Sequence, residues 1–245
     1  MEDRTYQIEA QVESDHWWFR ARRDLIAGYL HQLNLNDQTE ILDVGSSTGT
    51  NLRLLQEMGF QKYQGVDTSQ SSVDWCREKK LGFVSLGDAQ DLPFAEAAFD
   101  VVLATDVLEH LGDDLKGAQE LYRVLRPGGW ALVTVPTFQS LWGKQDEVSL
   151  HKRRYRLSQV AKICLQAGFE VREKYYFNFL LFAPIWLARQ VLKRIPNRIE
   201  SENQVNTPLM NKVLYRVFSF DLSVAPWIKA PVGVSAFLLL QKPQK

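Results

Sequence analysis

Residues 40–50 read Glu-Ile-Leu-Asp-Val-Gly-Ser-Ser-Thr-Gly-Thr, and this stretch decides the fold. Its first half is an apolar run of the kind found in buried strands, which predicts a strand from Glu40 to Val44. Its second half is rich in glycine and leads into a helical pattern that starts at Thr50. Glycines permit a sharp turn that presents backbone N–H groups at a helix N-terminus, so a ligand is expected to bind at this turn.

The same alternation of strand and helix continues to residue 170, which is typical of βαβ units. Two further strands are predicted near the end of the chain, giving an α/β fold with a doubly wound, mostly parallel, seven-stranded sheet. The predicted strands are Glu40–Val44, Tyr63–Asp67, Phe83–Leu86, Phe99–Ala104, Trp130–Val135, Phe169–Phe177 and Val234–Leu240. The predicted helices between them are Thr50–Met58, Ser71–Lys80, Asp113–Leu125 and Ser158–Ala167, with Ser158 as the N-cap and Gly168 as the stop of the last.

Segments outside this core are predicted to surround it within a single domain, residues 1–245. A helix at 15–33 precedes the cofactor-binding core at 40–136, in which residues 126–129, Arg-Pro-Gly-Gly, are predicted to end a helix and form a turn. Residues 137–157 and 178–232 are predicted to be insertions outside this core. The second insertion is helical, with one helix at Pro184–Ile195 ended by Pro196, a polar loop at 197–207 and an apolar helix face at 209–218.

Composition excludes several classes of protein. The chain of 245 residues carries 29 basic and 29 acidic side chains and is 45% hydrophobic, which is typical of a globular protein and not of a disordered one. Its two cysteines support neither a disulfide framework nor a structural zinc site, and they fit a reducing, cytoplasmic compartment. The apolar run from Phe179 to Ala188 is too short to span a bilayer.

Charge is distributed unevenly along the chain. Residues 81–150 hold 11 acidic and 4 basic side chains, whereas residues 151–198 hold 2 acidic and 11 basic ones. This difference indicates either an anionic partner for the later segment or an ordinary solvated basic face.

Three acids stand where predicted strands end. Asp43 lies at the end of the first strand, Asp67 closes the second and Asp88 follows the third, and ligands of open α/β sheets bind outside the carboxyl ends of strands. A carboxylate at Asp43 favours an ammonium or sulfonium over a pyrophosphate. Asp67 could accept hydrogen bonds from a ribose diol, and Asp88 from an adenine amine.

The segments ILDVGSSTGT, GVDTS, GDAQDLPF, FDVVLATDVLEHLGD and LYRVLRPGGWALVTVP follow one another within residues 40–136. Together they resemble the class I S-adenosylmethionine-dependent methyltransferases, in particular the "type 11" group that acts on small molecules, although the family often has glycine where Ser47 stands. The resemblance implies a Rossmann-like methyltransferase fold and S-adenosylmethionine as cofactor. It implies that Asp43 and the 45–49 loop hold the methionine portion, Asp67 the ribose and Asp88 the adenine. The cofactor-binding residues implied are Asp43, Gly45, Ser46, Gly49, Asp67, Thr68, Asp88, Ala89 and Thr105.

Candidates on the acceptor side come from two turns. Glu109 and His110 follow the fourth strand, and His151 begins a basic cluster after the fifth, so His110 and His151 are the candidate catalytic residues. The cluster at 151–156 either binds an anionic group of the substrate or is a solvated loop. In the helix at 15–33, Trp18 either packs in the core or covers the cofactor, and Arg22 could pair with the methionine carboxylate.

The expected reaction is transfer of a methyl group from S-adenosylmethionine to a small-molecule or lipid-linked acceptor by in-line displacement. Two alternatives stay open, an NAD-type oxidoreductase on a similar fold and a non-catalytic cofactor-binding module. We expect no metal requirement and no nucleic acid partner, and peripheral contact with a membrane is one possible role of the 178–232 insertion. The sequence does not define an oligomeric state.

Overall fold

The computed structural model of the chain describes residue 10, residues 12–192 and residues 207–244. Seven strands form one sheet in the order β3-β2-β1-β4-β5-β7-β6. The strands are β1 Ile41–Val44, β2 Tyr63–Asp67, β3 Phe83–Leu86, β4 Phe99–Thr105, β5 Leu125–Pro136, β6 Glu170–Phe177 and β7 Ser235–Gln241. The α-helices are α1 Trp17–Gln32, α2 Thr50–Glu57, α3 Gln70–Glu78, α4 Asp114–Val124, α5 Lys144–Val148, α6 Leu157–Gln166, α7 Phe182–Leu192 and α8 Pro208–Ile228, with 3₁₀ turns at Leu108–His110 and Gln139–Leu141.

The predicted α/β fold is confirmed, and its sheet is mostly parallel. Strands β1 to β5 pair in parallel, whereas β7 runs antiparallel to both of its neighbours, β5 and β6. Strand β1 is buried along its whole length and so is most of β4, as expected of central strands covered on both faces.

Helices cover both faces of the sheet. On one face, Ile26 and Leu30 of α1 belong to the same buried cluster as Phe218 of α8 and Phe237 of β7. On the other face, α4 and α6 bury the residues Ala118, Leu121, Val160, Ala161 and Cys164 in a second cluster. The helical insertion between β6 and β7 therefore adds one of its helices, α8, to the core.

Two local predictions are wrong. Helix α6 begins at Leu157, one residue earlier than predicted, and its N-cap is Arg156 and not Ser158. The Gln159 side chain accepts a hydrogen bond from the Arg156 N–H, and the Tyr176 hydroxyl accepts one from the Leu157 N–H, so partners outside Ser158 satisfy the helix start.

The segment Arg126–Gly129 is the second case. Helix α4 ends at Val124, close to the prediction, but the chain passes at once into β5, which begins at Leu125. Its pairing with β4 is irregular there. Phe99 pairs with Leu125 and Val101 with Trp130, so β5 has more residues than β4 between these two pairs.

The insertion contains two helices, as predicted. Helix α7 begins at Phe182, before the predicted start at Pro184, and α8 extends well beyond residue 218 to Ile228. The predicted stop at Pro196 and the polar loop before Thr207 lie outside the described residues. Among the described residues, no helix is both long and apolar enough to cross a membrane.

Candidate functional site

A cavity of about 1060 Å³ lies at the carboxyl ends of the central strands. This is the position where open α/β sheets bind ligands, because loops that leave β1 and β4 diverge there. Its wall includes the predicted residues Gly45, Ser46, Asp67, Thr68, Asp88, Ala89, Thr105, His110 and His151. Residues distributed over more than 100 positions of the sequence therefore meet at one site.

The turn after β1 forms the floor of the cavity. Gly45 has a φ of +74°, and a Cβ added to it would come within 2.8 Å of Val107 Cγ2, so both its conformation and its packing require glycine. Gly49 has a φ of +87° and is the N-cap of α2, but a Cβ there would meet Leu81 and Cys76. Gly49 thus shapes the turn from behind and does not line the cavity.

Asp67 holds the turn in place. Its Oδ2 accepts a hydrogen bond from the Ser47 N–H at 2.9 Å, and its Oδ1 accepts one from the Ser69 N–H at 2.9 Å. Because these bonds fix the carboxylate at the end of β2, it presents a defined acceptor surface to the cavity. Each carboxylate oxygen can accept more than one hydrogen bond.

Asp43 lies behind the cavity wall, fully buried. Its Oδ1 accepts a hydrogen bond from the Asn51 amide at 2.8 Å, whereas its Oδ2 has no hydrogen-bond partner among the described residues. Burial raises the pKa of Asp43 to about 7. Asn51, which the sequence analysis missed, lines the cavity and also donates to the Thr105 hydroxyl at 3.0 Å, so it links the ends of β1 and β4.

Asp88 and Ala89 stand beyond the end of β3. Asp88 is exposed, and its Oδ1 accepts a hydrogen bond from the Gln90 N–H at 2.8 Å. Ala89 is buried, and both residues line the cavity together with Gln90. This end of the cavity thus offers a small apolar residue beside a carboxylate.

The cavity is covered by segments from distant parts of the chain, which we call the roof: His16, Trp17, Trp18 and Arg22 with Met210 and Leu214. Asn211 of α8 joins the two parts, since its Oδ1 accepts a hydrogen bond from the Trp17 N–H at 2.7 Å. Trp18 stacks on Phe218 and Phe177 and also lines the cavity, so core packing is not its only contact.

Arg22 already has a carboxylate partner in the chain. Its Nη1 donates to Asp106 Oδ2 at 2.6 Å, and Asp106 follows β4 with a φ of +56°. A left-handed conformation is uncommon outside glycine and directs this carboxylate toward α1. A ligand carboxylate would have to share Arg22 with Asp106.

Glu13 anchors the segment before α1 to the floor of the cavity. This buried carboxylate accepts hydrogen bonds from the Thr48 and Thr50 hydroxyls and pairs with Lys79 Nζ at 2.8 Å. The sequence analysis did not identify Glu13, because no pattern links residue 13 to residues 48 and 79.

The acceptor side of the cavity holds Glu109, His110 and His151. His151 Nδ1 lies 2.8 Å from Asp146 Oδ1, and His151 Nε2 lies 3.9 Å from Glu109 Oε1. The His110 and His151 rings meet edge to face with centroids 4.7 Å apart. Burial lowers the pKa of His110 to about 3 and raises the pKa of Glu109 well above its ordinary value, so the neutral forms of both are favoured.

Most of the basic cluster at 151–156 is engaged within the protein. Arg154 forms two hydrogen bonds with Asp146, at 2.7 and 3.0 Å, and Arg153 pairs with Asp114 at 2.8 Å. Burial alone would raise the pKa of Asp146, yet its hydrogen bonds with His151 and Arg154 hold it well below the usual range. The interpretation of this cluster as a solvated loop is therefore wrong for Arg154, which is buried in a structural ion pair.

Comparison with known proteins agrees with this geometry. The family model "Methyltransferase domain" matches residues 42–133. A Mycolicibacterium smegmatis protein named "probable S-adenosylmethionine-dependent methyltransferase" is 28% identical over 167 residues, which are 66% of this chain and 63% of the relative. Demethylmenaquinone methyltransferase of Symbiobacterium thermophilum is 32% identical over 133 residues, 51% of each chain. The match spans between 30% and 63% of the first four curated relatives.

Solved structures share the fold. A chain from the complex between Haloferax volcanii Trm112, a methyltransferase activator, and a methyltransferase matches with a TM-score of 0.67 and 18% identity, over 99% of this chain and 96% of the other. A Haemonchus contortus phosphoethanolamine N-methyltransferase, solved with S-adenosyl-L-methionine, matches with a TM-score of 0.57 and 22% identity, over 86% and 50%. These matches, together with the domain match, confirm the predicted Rossmann-like fold and family resemblance.

Proposed function

From the premise that residues 42–133 form a methyltransferase domain of the class I S-adenosylmethionine-dependent family, we propose that this chain transfers a methyl group from S-adenosylmethionine to a small-molecule or lipid-linked acceptor. The NAD-type alternative has no such support, and neither does a purely non-catalytic module, since the acceptor side of the cavity carries ionisable groups. Bound S-adenosylmethionine supplies a methyl group on a sulfonium, which is already activated for displacement.

The observation that carries the proposal is a set of hydrogen-bonding side chains along one edge of the cavity. Asp67, Asp88 and Thr105 line the cavity at the ends of three strands, and the 45–48 backbone forms its floor. Asp67 is suited to a ribose diol, and Asp88 with Ala89 to an adenine. Asp43 lies behind the cavity wall, and its carboxylate would favour the cation of the methionine portion through Asn51, which donates a hydrogen bond to it and lines the cavity. Gly45, Ser46 and Thr68 line the cavity, whereas Gly49 shapes the turn from behind.

The chain's own residues position the acceptor. His110 and His151 line the cavity, and Asp146 fixes the orientation of His151. Apolar side chains line the same cavity, namely Trp142, Leu150 and Ile185, with Met210 and Leu214 in the roof. Positioning supplies a large part of the rate of a displacement of this kind, and an apolar wall excludes water from it.

The proposal is tested by titration calorimetry with S-adenosylmethionine. Asp67→Ala removes a charge-assisted acceptor worth roughly 1.5–3 kcal/mol, so the dissociation constant should rise about ten- to a hundredfold. Asp37→Ala, an exposed acid far from the cavity lining, is the matched control and should bind as the unaltered chain does. Absence of binding by the unaltered chain would contradict the proposal as a whole, and equal binding by Asp67→Ala would remove Asp67 from the site.

The lipid-linked version of the acceptor is supported by the outer face of α8. Leu209, Val213, Phe220 and Trp227 are all exposed and recur at spacings of 4, 7 and 7 residues, which places them on one stripe of the helix. We call these four residues the apolar stripe. Exposed Arg216 lies along the same stripe, and such a combination suits an interfacial helix on an anionic bilayer.

This version places the protein in the cytoplasm, in peripheral contact with a membrane. The free, buried thiols of Cys76 and Cys164 are compatible with a reducing compartment. Met210 and Leu214, which neighbour the apolar stripe on α8, reach into the cavity roof, so an acceptor held at a bilayer would enter next to them.

A further inference from the structure

We propose that Glu109, His110 and His151 form a binding site for a single divalent transition-metal ion such as Zn²⁺. No ligand spacing in the sequence indicates such a site, since 40 residues separate His110 from His151. The site itself goes beyond the proposed function, while its role in holding the acceptor rests on that function.

The three side chains are brought together by two separate turns. Glu109 and His110 lie in the 3₁₀ turn after β4, and His151 follows α5. One ligand atom from each residue lies within 4.8 Å of those of the other two. Ligands of one zinc ion lie about 2.0–2.2 Å from it, so small side-chain rotations would bring these three atoms onto a shared ion.

Glu109 is the strongest indication that a cation belongs here. The side chain is fully buried, lines the cavity and leaves both carboxylate oxygens without a hydrogen-bond partner among the described residues. A buried carboxylate is costly unless it is paired or bound to a metal. The atoms nearest to it in the cluster belong to imidazoles, which bind transition metals in their neutral form.

Asp146 holds His151 in the orientation that a metal ligand needs. The 2.8 Å contact between His151 Nδ1 and Asp146 Oδ1 assigns the ring proton to Nδ1, so the lone pair of Nε2 is directed toward Glu109, 3.9 Å away. In a metal-bound histidine, the N–H of the second ring nitrogen nearly always donates a hydrogen bond to a carboxylate, a carbonyl or water in this way. Asp146 is itself fixed by Arg154 and by the Gly143 N–H at 2.8 Å, so the support is rigid.

Two histidines and one glutamate are a ligand set typical of catalytic zinc, which retains an open position. Here the open position would face the cavity, because all three residues line it. An acceptor hydroxyl bound there would lose its proton to solvent more readily, since a divalent ion lowers the pKa of a bound oxygen. The oxygen then forms a bond to the methyl carbon while the carbon–sulfur bond breaks, and sulfur keeps the electron pair as a neutral thioether.

The test measures the ion directly and needs no acceptor. The purified full chain is stripped with a chelator, dialysed and titrated with Zn²⁺ by calorimetry and with Co²⁺ by visible absorption. We expect one equivalent of each ion to bind, with a Co²⁺ spectrum of nitrogen and oxygen ligation. Glu109→Gln and His151→Ala should each weaken Zn²⁺ binding at least tenfold. His31→Ala, which removes an exposed histidine from α1, is the matched control and should bind as the unaltered chain does.

Circular dichroism of each variant shows whether it is folded, and Glu109→Gln preserves the shape of the side chain in case His151→Ala unfolds. The inference is overturned if the stripped chain binds less than one equivalent of both ions, or if Glu109→Gln binds Zn²⁺ as tightly as the His31→Ala control. Failure here is distinguishable from failure of the proposed function, because S-adenosylmethionine binding is measured separately on the same stripped protein.

Discussion

The role proposed for Asp43 in cofactor binding comes with a cost in stability. It is fully buried at the end of β1, with one carboxylate oxygen bonded to Asn51 and the other without a hydrogen-bond partner among the described residues. Burial raises its pKa to about 7, so in the folded chain without a ligand the protonated form is favoured below about pH 7. A bound cation would reverse this preference, so binding and ionisation of Asp43 are coupled.

This coupling predicts the effect of Asp43→Asn. Between about pH 4 and pH 7 the folded state holds a proton that the unfolded state has lost, so the contribution of Asp43 to stability falls as pH rises through this range. Asparagine removes that dependence. We expect the variant to have a higher Tm than the unaltered chain at pH 8 without cofactor, a difference that shrinks toward pH 5, and a weaker affinity for S-adenosylmethionine.

The measurement is thermal unfolding followed by circular dichroism between pH 5 and pH 8. Asp100→Asn, in a partly exposed ion pair with Arg126, is the control for removal of an acid. An Asp43→Asn variant that is less stable than the unaltered chain at every pH would show that the buried charge is compensated by groups other than a ligand.

Individual site residues could be predicted where a strand end fixes their position. Asp67, Asp88 and Thr105 line the cavity because each follows a strand that the apolar pattern located within a residue or two. Asn51, Glu13 and Asp146 could not be found in this way, since each acts through a partner that only the tertiary structure brings near. The charge of the 151–156 cluster did not indicate its role either. Its ion-pair partners Asp146 and Asp114 lie elsewhere in the sequence, and only the tertiary structure brings them near it.

At the scale of elements, Asp221 attaches the insertion to the sheet. This buried side chain of α8 accepts hydrogen bonds from the Asn178 N–H at 2.6 Å and the Leu180 N–H at 2.9 Å, directly after β6. Desolvation raises the pKa of Asp221, while the backbone hydrogen bonds lower it and so oppose that shift. Its position fixes where α8 lies against β6 and hence where Met210 and Leu214 meet the cavity.

We therefore expect Asp221→Ala to destabilise the protein. The buried Asn178 N–H and the partly buried Leu180 N–H would lose their acceptor. The loss costs about 1–3 kcal/mol for the buried group and less for the other, so the free energy of unfolding should fall by roughly 2–4 kcal/mol in chemical denaturation. Asp221→Asn keeps one acceptor oxygen and should cost less. Ser223→Ala, on the exposed side of the same helix, should change stability by less than about 0.5 kcal/mol. Equal stability of Asp221→Ala and Ser223→Ala would contradict the role of this contact.

At the scale of the whole molecule, the sheet could be predicted and the covering of the site could not. Apolar β-branched runs and their spacing locate six of the seven strands to within a residue or two of each end, because the composition of each segment by itself favours a strand. The fifth begins earlier than its pattern, since the irregular pairing at 125–129 depends on β4. The roof depends on contacts such as Trp17 with Asn211, separated by 194 positions, for which one sequence contains no signal.

The orientation of the molecule on a membrane follows from the apolar stripe. Trp227 and Leu209, at opposite ends of α8, are 86% and 73% exposed, so the stripe runs along the whole helix. We expect the protein to float with vesicles of phosphatidylcholine and phosphatidylserine at low salt. Lys212, Arg216 and Lys229 contribute about 1 kcal/mol each near an anionic surface, and this attraction fades as salt is added.

Vesicles of phosphatidylcholine alone are the control for charge, and Phe220→Ser with Trp227→Ser is the control for the apolar stripe. Both should reduce flotation, and high salt should do so as well. If the unaltered chain fails to float with anionic vesicles at low salt, the acceptor does not reach the site from a membrane through this helix, and methyl transfer to a water-soluble acceptor is unaffected.

The place of β7 in the sheet bears on how the chain is made. Strand β7 lies between β5 and β6, although it is the last of the seven strands to leave the ribosome. Until it emerges, a nascent chain has an unpaired edge on β5 and a β6 with no neighbour, and unpaired edges invite association with other chains. We therefore expect residues 235–241 to complete the sheet last, and a chain that ends before them to associate with its copies more readily than the whole chain does.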